Sequence, residues 1–122
     1  GPSSALTVST FCSTSSNLYR AQLEVQWWAS GSSAGSDLVI VRYQKRANTS
    51  SPWANFDWAT SHNIDFRRGS TIVDRYGPEN PPATRSFYHW PQGQTAPISS
   101  ANERLRASGS GFSVDCTQYN PY

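Results

Sequence analysis

Tyr19-Arg20-Ala21-Gln22-Leu23-Glu24-Val25-Gln26-Trp27-Trp28 places apolar residues at every odd position and polar ones at the even positions up to Gln26. That period of two belongs to a strand with one face buried and the other in water, because successive strand side chains point to opposite sides of the sheet. A Gly/Ser-rich turn over 30–36 follows, and residues 37–46 then read as a second strand with Val39, Val41 and Tyr43 inward. Leu38 and Ile40, on the other parity, imply that the start of this strand is covered on both sides. Residues 19–46 are therefore expected to form a long hairpin.

Working outward, the two ends of the chain show the same pattern around the only two cysteines. Leu6, Val8 and Cys12 share one parity, and so do Phe112, Val114 and Cys116. Both sulfurs are thus expected on inward faces of terminal strands, which is what a bridge closing the domain end to end requires. Bonds of this kind persist in oxidising compartments, so a secreted protein is expected. No signal peptide and no apolar run of membrane-spanning length occurs. Gly1-Pro2 reads as a remnant of tag removal, and the chain as a mature form whose export signal is missing. The expected division is a tag scar and disordered N-terminus over 1–4, one domain over 5–118 and a C-terminal tail over 119–122.

Between the ends, further short strands are expected. Residues 64–66 and 71–76 flank Arg67-Arg68-Gly69-Ser70 as a second hairpin, and Pro78, Pro81 and Pro82 mark an extended connection. Residues 85–90 read as an aromatic strand and 112–117 as the last strand. The one helix candidate, 99–106, has only Leu105 as a large apolar residue, so a strand suits it as well. Six to eight strands at this spacing imply an all-β fold, a single-domain antiparallel β-sandwich closed by a disulfide.

Chemistry is less visible. The net charge of +2 and the scattered basic residues give no stripe for nucleic acid. Nine arginines against the single Lys45 suggest a GC-rich, bacterial genome. His62 and His89 stand far apart, and Asp57, Asp65 and Asp74 lack calcium-loop spacing, so neither metal nor cofactor is expected. No serine sits in a nucleophile elbow. His89, Glu103 and Arg104 or Arg106 supply the residue types of a small secreted ribonuclease, but the helix that such folds pack on their sheet is missing. Asn48-Thr49-Ser50 matches the glycosylation sequon.

The aromatic residues are the strongest functional lead. Trp28 shares parity with Arg20, Gln22, Glu24 and Gln26, Trp53 and Trp58 fall in a loop, and Tyr88 and Trp90 share one strand face. These five are the expected ligand-binding residues of a non-catalytic recognition module whose partner is a glycan or an extracellular protein. The alternatives are an adaptor subunit of a secreted assembly such as a toxin complex, an enzyme inhibitor presenting the proline-rich segment 76–83, and a ribonuclease-like hydrolase.

Overall fold

A computed structural model describes residues 5–89 and 94–122 and shows an all-β sandwich of two antiparallel sheets. The strands are β1 (Leu6–Ser13), β2 (Tyr19–Ser30), β3 (Ser33–Lys45), β4 (Ala54–Asn55), β5 (Ser61–Arg68), β6 (Thr71–Glu79), β7 (Thr84–Phe87), β8 (Ala96–Pro97), β9 (Ala101–Ser108) and β10 (Ser113–Tyr119). The larger sheet runs β1-β2-β3, and the far edge of β3 is shared by β4, β7 and β8. The smaller sheet runs β10-β9-β5-β6. The helix candidate is β9, and both expected hairpins are present. Trp90 and residues 1–4 lie outside the described residues.

The quoted stretch builds the core as its alternation demands. Leu23, Val25, Trp27, Val39, Val41 and Tyr43 are fully buried, facing Ile64, Phe66 and Leu105 of the smaller sheet. The β2–β3 turn is shorter than expected. Ser30 pairs with Ser33, and Gly31 takes φ +60°, the left-handed conformation a two-residue hairpin turn asks of its first central residue. An extra residue in β3 follows, since Val25 pairs with Val39 but Trp27 with Ser36. This bulge exchanges the two faces of β3 beyond it. Ala34 and Ser36 now point inward, where unbroken alternation from Val39 would have sent Gly35 and Asp37.

Cys12 on β1 and Cys116 on β10 are bonded across 104 positions of sequence, so the bridge joins an edge strand of each sheet. Gln118, two residues on, reinforces that seam. Its Oε1 accepts from Trp27 Nε1 at 2.6 Å, and its Nε2 donates to Thr10 Oγ1 at 2.9 Å and the Leu23 carbonyl at 3.1 Å. The tail drawn from residue 119 begins inside β10, and the Tyr122 hydroxyl donates to the Trp27 carbonyl at 3.0 Å. Pro78 sits within β6 rather than in a connection, which is tolerated because β6 is an edge strand.

Bulges in β6 also decide where its acids point. His62 pairs with Glu79 and Phe66 with Asp74, so both carboxylates share the inward side. Gly77, between them at φ +103°, fits where any Cβ would overlap the His62 carbonyl. Two polar chains result. In one, the Tyr43 hydroxyl donates to His62 Nδ1, and His62 Nε2 donates to Glu79 Oε1 at 2.9 Å, which Arg85 Nε also approaches at 2.9 Å. In the other, His89 donates from Nδ1 to Asp74 at 2.9 Å and from Nε2 to Glu103, whose oxygens lie at 2.8 and 3.0 Å. Ser36, turned inward by the β3 bulge, donates to Glu103 Oε1 at 2.8 Å.

These chains set opposite pH dependences. Burial pushes His62 below the ordinary histidine value of 6.5, outweighing Glu79. Burial also opposes charge on His89, but Glu103 and Asp74 together hold its pKa above 6.5. A lowered folded-state pKa gives stability that is lost as pH falls below 6.5; a raised one gives stability lost as pH rises through the folded value. Stability from pH 5.5 to 8 is therefore expected to peak near 6.5, as read by denaturant midpoints. His62→Gln should flatten the acid limb and His89→Gln the alkaline limb. A monotonic wild-type profile would contradict this assignment.

Candidate binding face

The outer face of the larger sheet is built from the polar parity of the quoted stretch. Pairing aligns Ser13, Arg20, Gln44 and Asn55 in one row across β1–β4, and Phe11, Gln22 and Arg42 in the next. The side chains are hydrogen bonded along these rows. Arg20 Nε donates to Gln44 Oε1 at 2.7 Å, Gln44 Nε2 to Asn55 Oδ1 at 3.1 Å, and Gln22 Nε2 to Ser9 Oγ at 3.1 Å. Such cross-strand ties fix side chains that would otherwise move freely in water.

At the end of the face near β4, cations and rings interleave. The Arg20 guanidinium carbon lies 4.3 Å from the Phe11 ring centre and 4.5 Å from that of Trp53, while that of Arg46 lies 4.2 Å from Trp53. At the same end of the sheet but on the opposite parity, in the row of Tyr19 and Ala54, Lys45 Nζ sits 3.7 Å over the Phe56 ring. All are within cation–π range. Arg46 Nε is also anchored on the Asn17 carbonyl at 2.9 Å. Beside this ladder, Leu18, Tyr19, Lys45, Arg46, Ala47, Ser51, Pro52 and Ala54 enclose an open groove of about 560 Å³, within the size range of ligand clefts. Asn48 lies on the same loop in an exposed turn, its Oδ1 accepting from the Ser50 amide at 2.9 Å.

The charge is unbalanced here. Among the described residues Arg42 pairs with Glu24 at 3.3 Å, whereas Arg20, Lys45 and Arg46 have no carboxylate partner. Partial burial, and secondarily the charge of Arg46, lowers the pKa of Arg20 below the ordinary arginine value. The outer face of the smaller sheet differs. Arg104 pairs with Asp115 at 2.7 Å, and Arg75 and Arg106 reach Asp65 at 2.7 and 3.5 Å, while Arg67 Nε donates to the Asn102 amide oxygen at 2.8 Å.

The expected site residues divide. Trp53 is half-buried within the ladder. Trp28 is half-buried on the same face but about 27 Å along β2 from Arg20, at roughly 3.4 Å per residue. Its indole packs against Gly35, where a Cβ would come within 2.6 Å of the ring. Tyr88 is 49% exposed, beyond the end of β7, and is not part of the ladder. Trp58 corrects the surface expectation. The loop folds back, the indole is 5% exposed, it packs on Tyr43, Tyr19 and Phe112, and its Nε1 donates to the Arg20 carbonyl at 3.0 Å. Arg20 and Arg46 were missed as partners of Trp53, as were Phe11 on the far side of Arg20 and the separate Lys45–Phe56 pair. The outward parity of Phe11 beside Thr7 and Ser9 was the available signal.

The ribonuclease residues do not assemble. His89 and Glu103 meet, but Glu103 is fully buried, and Arg104 and Arg106 project from the opposite face of β9 to Asp115 and Asp65. No group of three or more metal-ligating side chains occurs among the described residues. Comparison with protein-family models, curated proteins and solved structures finds no match.

Proposed function

We propose that this domain is a secreted, non-catalytic recognition module that binds a glycan on the outer face of its larger sheet, at the ladder formed by Phe11, Arg20, Trp53 and Arg46. The observation that carries this reading is the ladder itself: rings and guanidiniums held in fixed stacks beside an open groove. The hydrogen-bonded amides of Gln22, Gln44 and Asn55 continue the same surface and suit ligand hydroxyls. A flat protein partner is served less well, because among the described residues the exposed large apolar side chains (Leu6, Phe11, Phe56, Ile72, Tyr88, Tyr119 and Tyr122) come from strands of both sheets and from loops. Secretion is supported by the disulfide.

Trp53→Ala tests the reading. Removing the ring both arginines stack on should weaken polysaccharide binding about 30-fold, the effect of a hot-spot residue worth roughly 2 kcal/mol. The melting temperature should change little, since Trp53 lies outside the core cluster. Affinity electrophoresis of both proteins through gels carrying neutral or acidic polysaccharides checks this. Wild-type mobility unchanged in every gel, or equal retardation of the variant, would contradict it.

A further inference from the structure

We infer that the ligand of this face is an acidic polysaccharide, a chain of uronate sugars whose carboxylates are taken by Arg20 and Arg46; the inference rests on the glycan reading above. The rings in this region are already covered by cations. Phe11 carries Arg20, Trp53 carries Arg20 and Arg46, and Phe56 carries Lys45. A neutral sugar stacking on those rings would have to displace charged groups from them, whereas an anionic sugar meets the charges where they stand.

Of the five lysine and arginine side chains without a carboxylate partner among the described residues, Arg67 and Arg68 lie at the end of β5 in the smaller sheet, and Arg20, Lys45 and Arg46 lie at this end of the larger one. The strands supply little to oppose them. Glu24 is engaged by Arg42, and Asp37 lies at the far end of β3, seven residues from Gln44 and so about 23 Å away at roughly 3.3 Å per residue. The guanidiniums are also oriented. Arg20 Nε is bonded to Gln44 and Arg46 Nε to the Asn17 carbonyl, which leaves the terminal Nη groups as the free end of each fork. Two parallel N–H groups in a plane match the two oxygens of a carboxylate. Two forks sharing one indole suit a ligand that repeats its carboxylate along a chain.

The test uses the intact, oxidised domain and five soluble probes in calorimetric titration: polygalacturonate, alginate, fully methyl-esterified polygalacturonate, dextran sulfate and polyglutamate. Polygalacturonate or alginate should bind, the methyl ester should bind at least tenfold more weakly, and affinity should fall as salt rises. Arg20→Gln and Arg46→Gln should each reduce uronate binding about tenfold or more, with the melting temperature retained. Equal binding of the methyl ester would overturn the acidic ligand while leaving the glycan reading standing. Tighter binding of dextran sulfate would replace carboxylate recognition by general polyanion attraction, and tighter binding of polyglutamate would make the partner an acidic peptide. Binding of none of the polysaccharides, including neutral ones added as a further arm, would overturn both the inference and the glycan reading.

Discussion

Reduction of the Cys12–Cys116 bridge is expected to lower the melting temperature by about 15 °C or more, taking roughly 4–5 kcal/mol for a closed loop of this size and about 4 °C per kcal/mol for a domain near this length. The bond spans 104 positions and holds together the edge strands of both sheets, so its loss releases almost the whole chain in the unfolded state. The folded state loses less, because Gln118 still ties β10 to Thr10 and Leu23. Reduced protein should consequently refold at low temperature and melt early. A Cys12→Ser/Cys116→Ser variant followed by circular dichroism separates the bridge from reagent effects. Unchanged melting of that variant would mean that the seam is held by Gln118 and the strand contacts alone.

Glu103→Ala should cost about 3–5 kcal/mol, the effect of removing one partner from a buried charged pair. Glu103 is fully buried between His89 and Ser36, and it accepts from both. Without it, Ser36 Oγ loses its acceptor and His89 keeps only Asp74. Protonated His89 then becomes costly, and the variant's stability should no longer fall as pH rises above 6.5. Urea midpoints at pH 6 and 8 measure this directly. Glu103→Gln retains an acceptor for Ser36 and should recover part of the loss at both pH values. A Glu103→Ala midpoint within experimental error of wild type would remove the network from the account of stability.

How far the fold was legible follows from where the alternation is unbroken. Residues 19–28 obey a period of two, so the inward facing of Leu23, Val25 and Trp27 together with Val39, Val41 and Tyr43 could be read before any contact was seen. The pairing register could not, the turn expected over 30–36 being tighter in the structure. The disulfide was legible for the same reason, each cysteine sharing parity with apolar neighbours at its end of the chain. Bulges were not legible. The extra residue beside Ser36 leaves no compositional mark, yet it brings Ser36 to Glu103; the bulges of β6 do the same for Asp74 and Glu79. Trp58 was misplaced because a loop's return to the core depends on tertiary contacts with Tyr43 and Phe112. The ladder was half legible: Trp53 was expected to bind, but its partners Arg20 and Arg46 lie 33 and 7 positions away and meet it only once β2 and β3 are paired.

The indole N–H resonances of the tryptophans offer the most direct measurement of the proposed site. Trp27 Nε1 donates to Gln118 and Trp58 Nε1 to the Arg20 carbonyl, so both are internal references within the same molecule. In a two-dimensional nitrogen–proton titration of the oxidised domain with oligogalacturonate, the Trp53 resonance should move or broaden with added ligand, and that of Trp27 should stay in place. A saturating shift at Trp53 together with the Arg20 and Arg46 side chains is the expected result. Saturable binding that leaves Trp53, Arg20 and Arg46 unshifted while moving residues of the smaller sheet would contradict it.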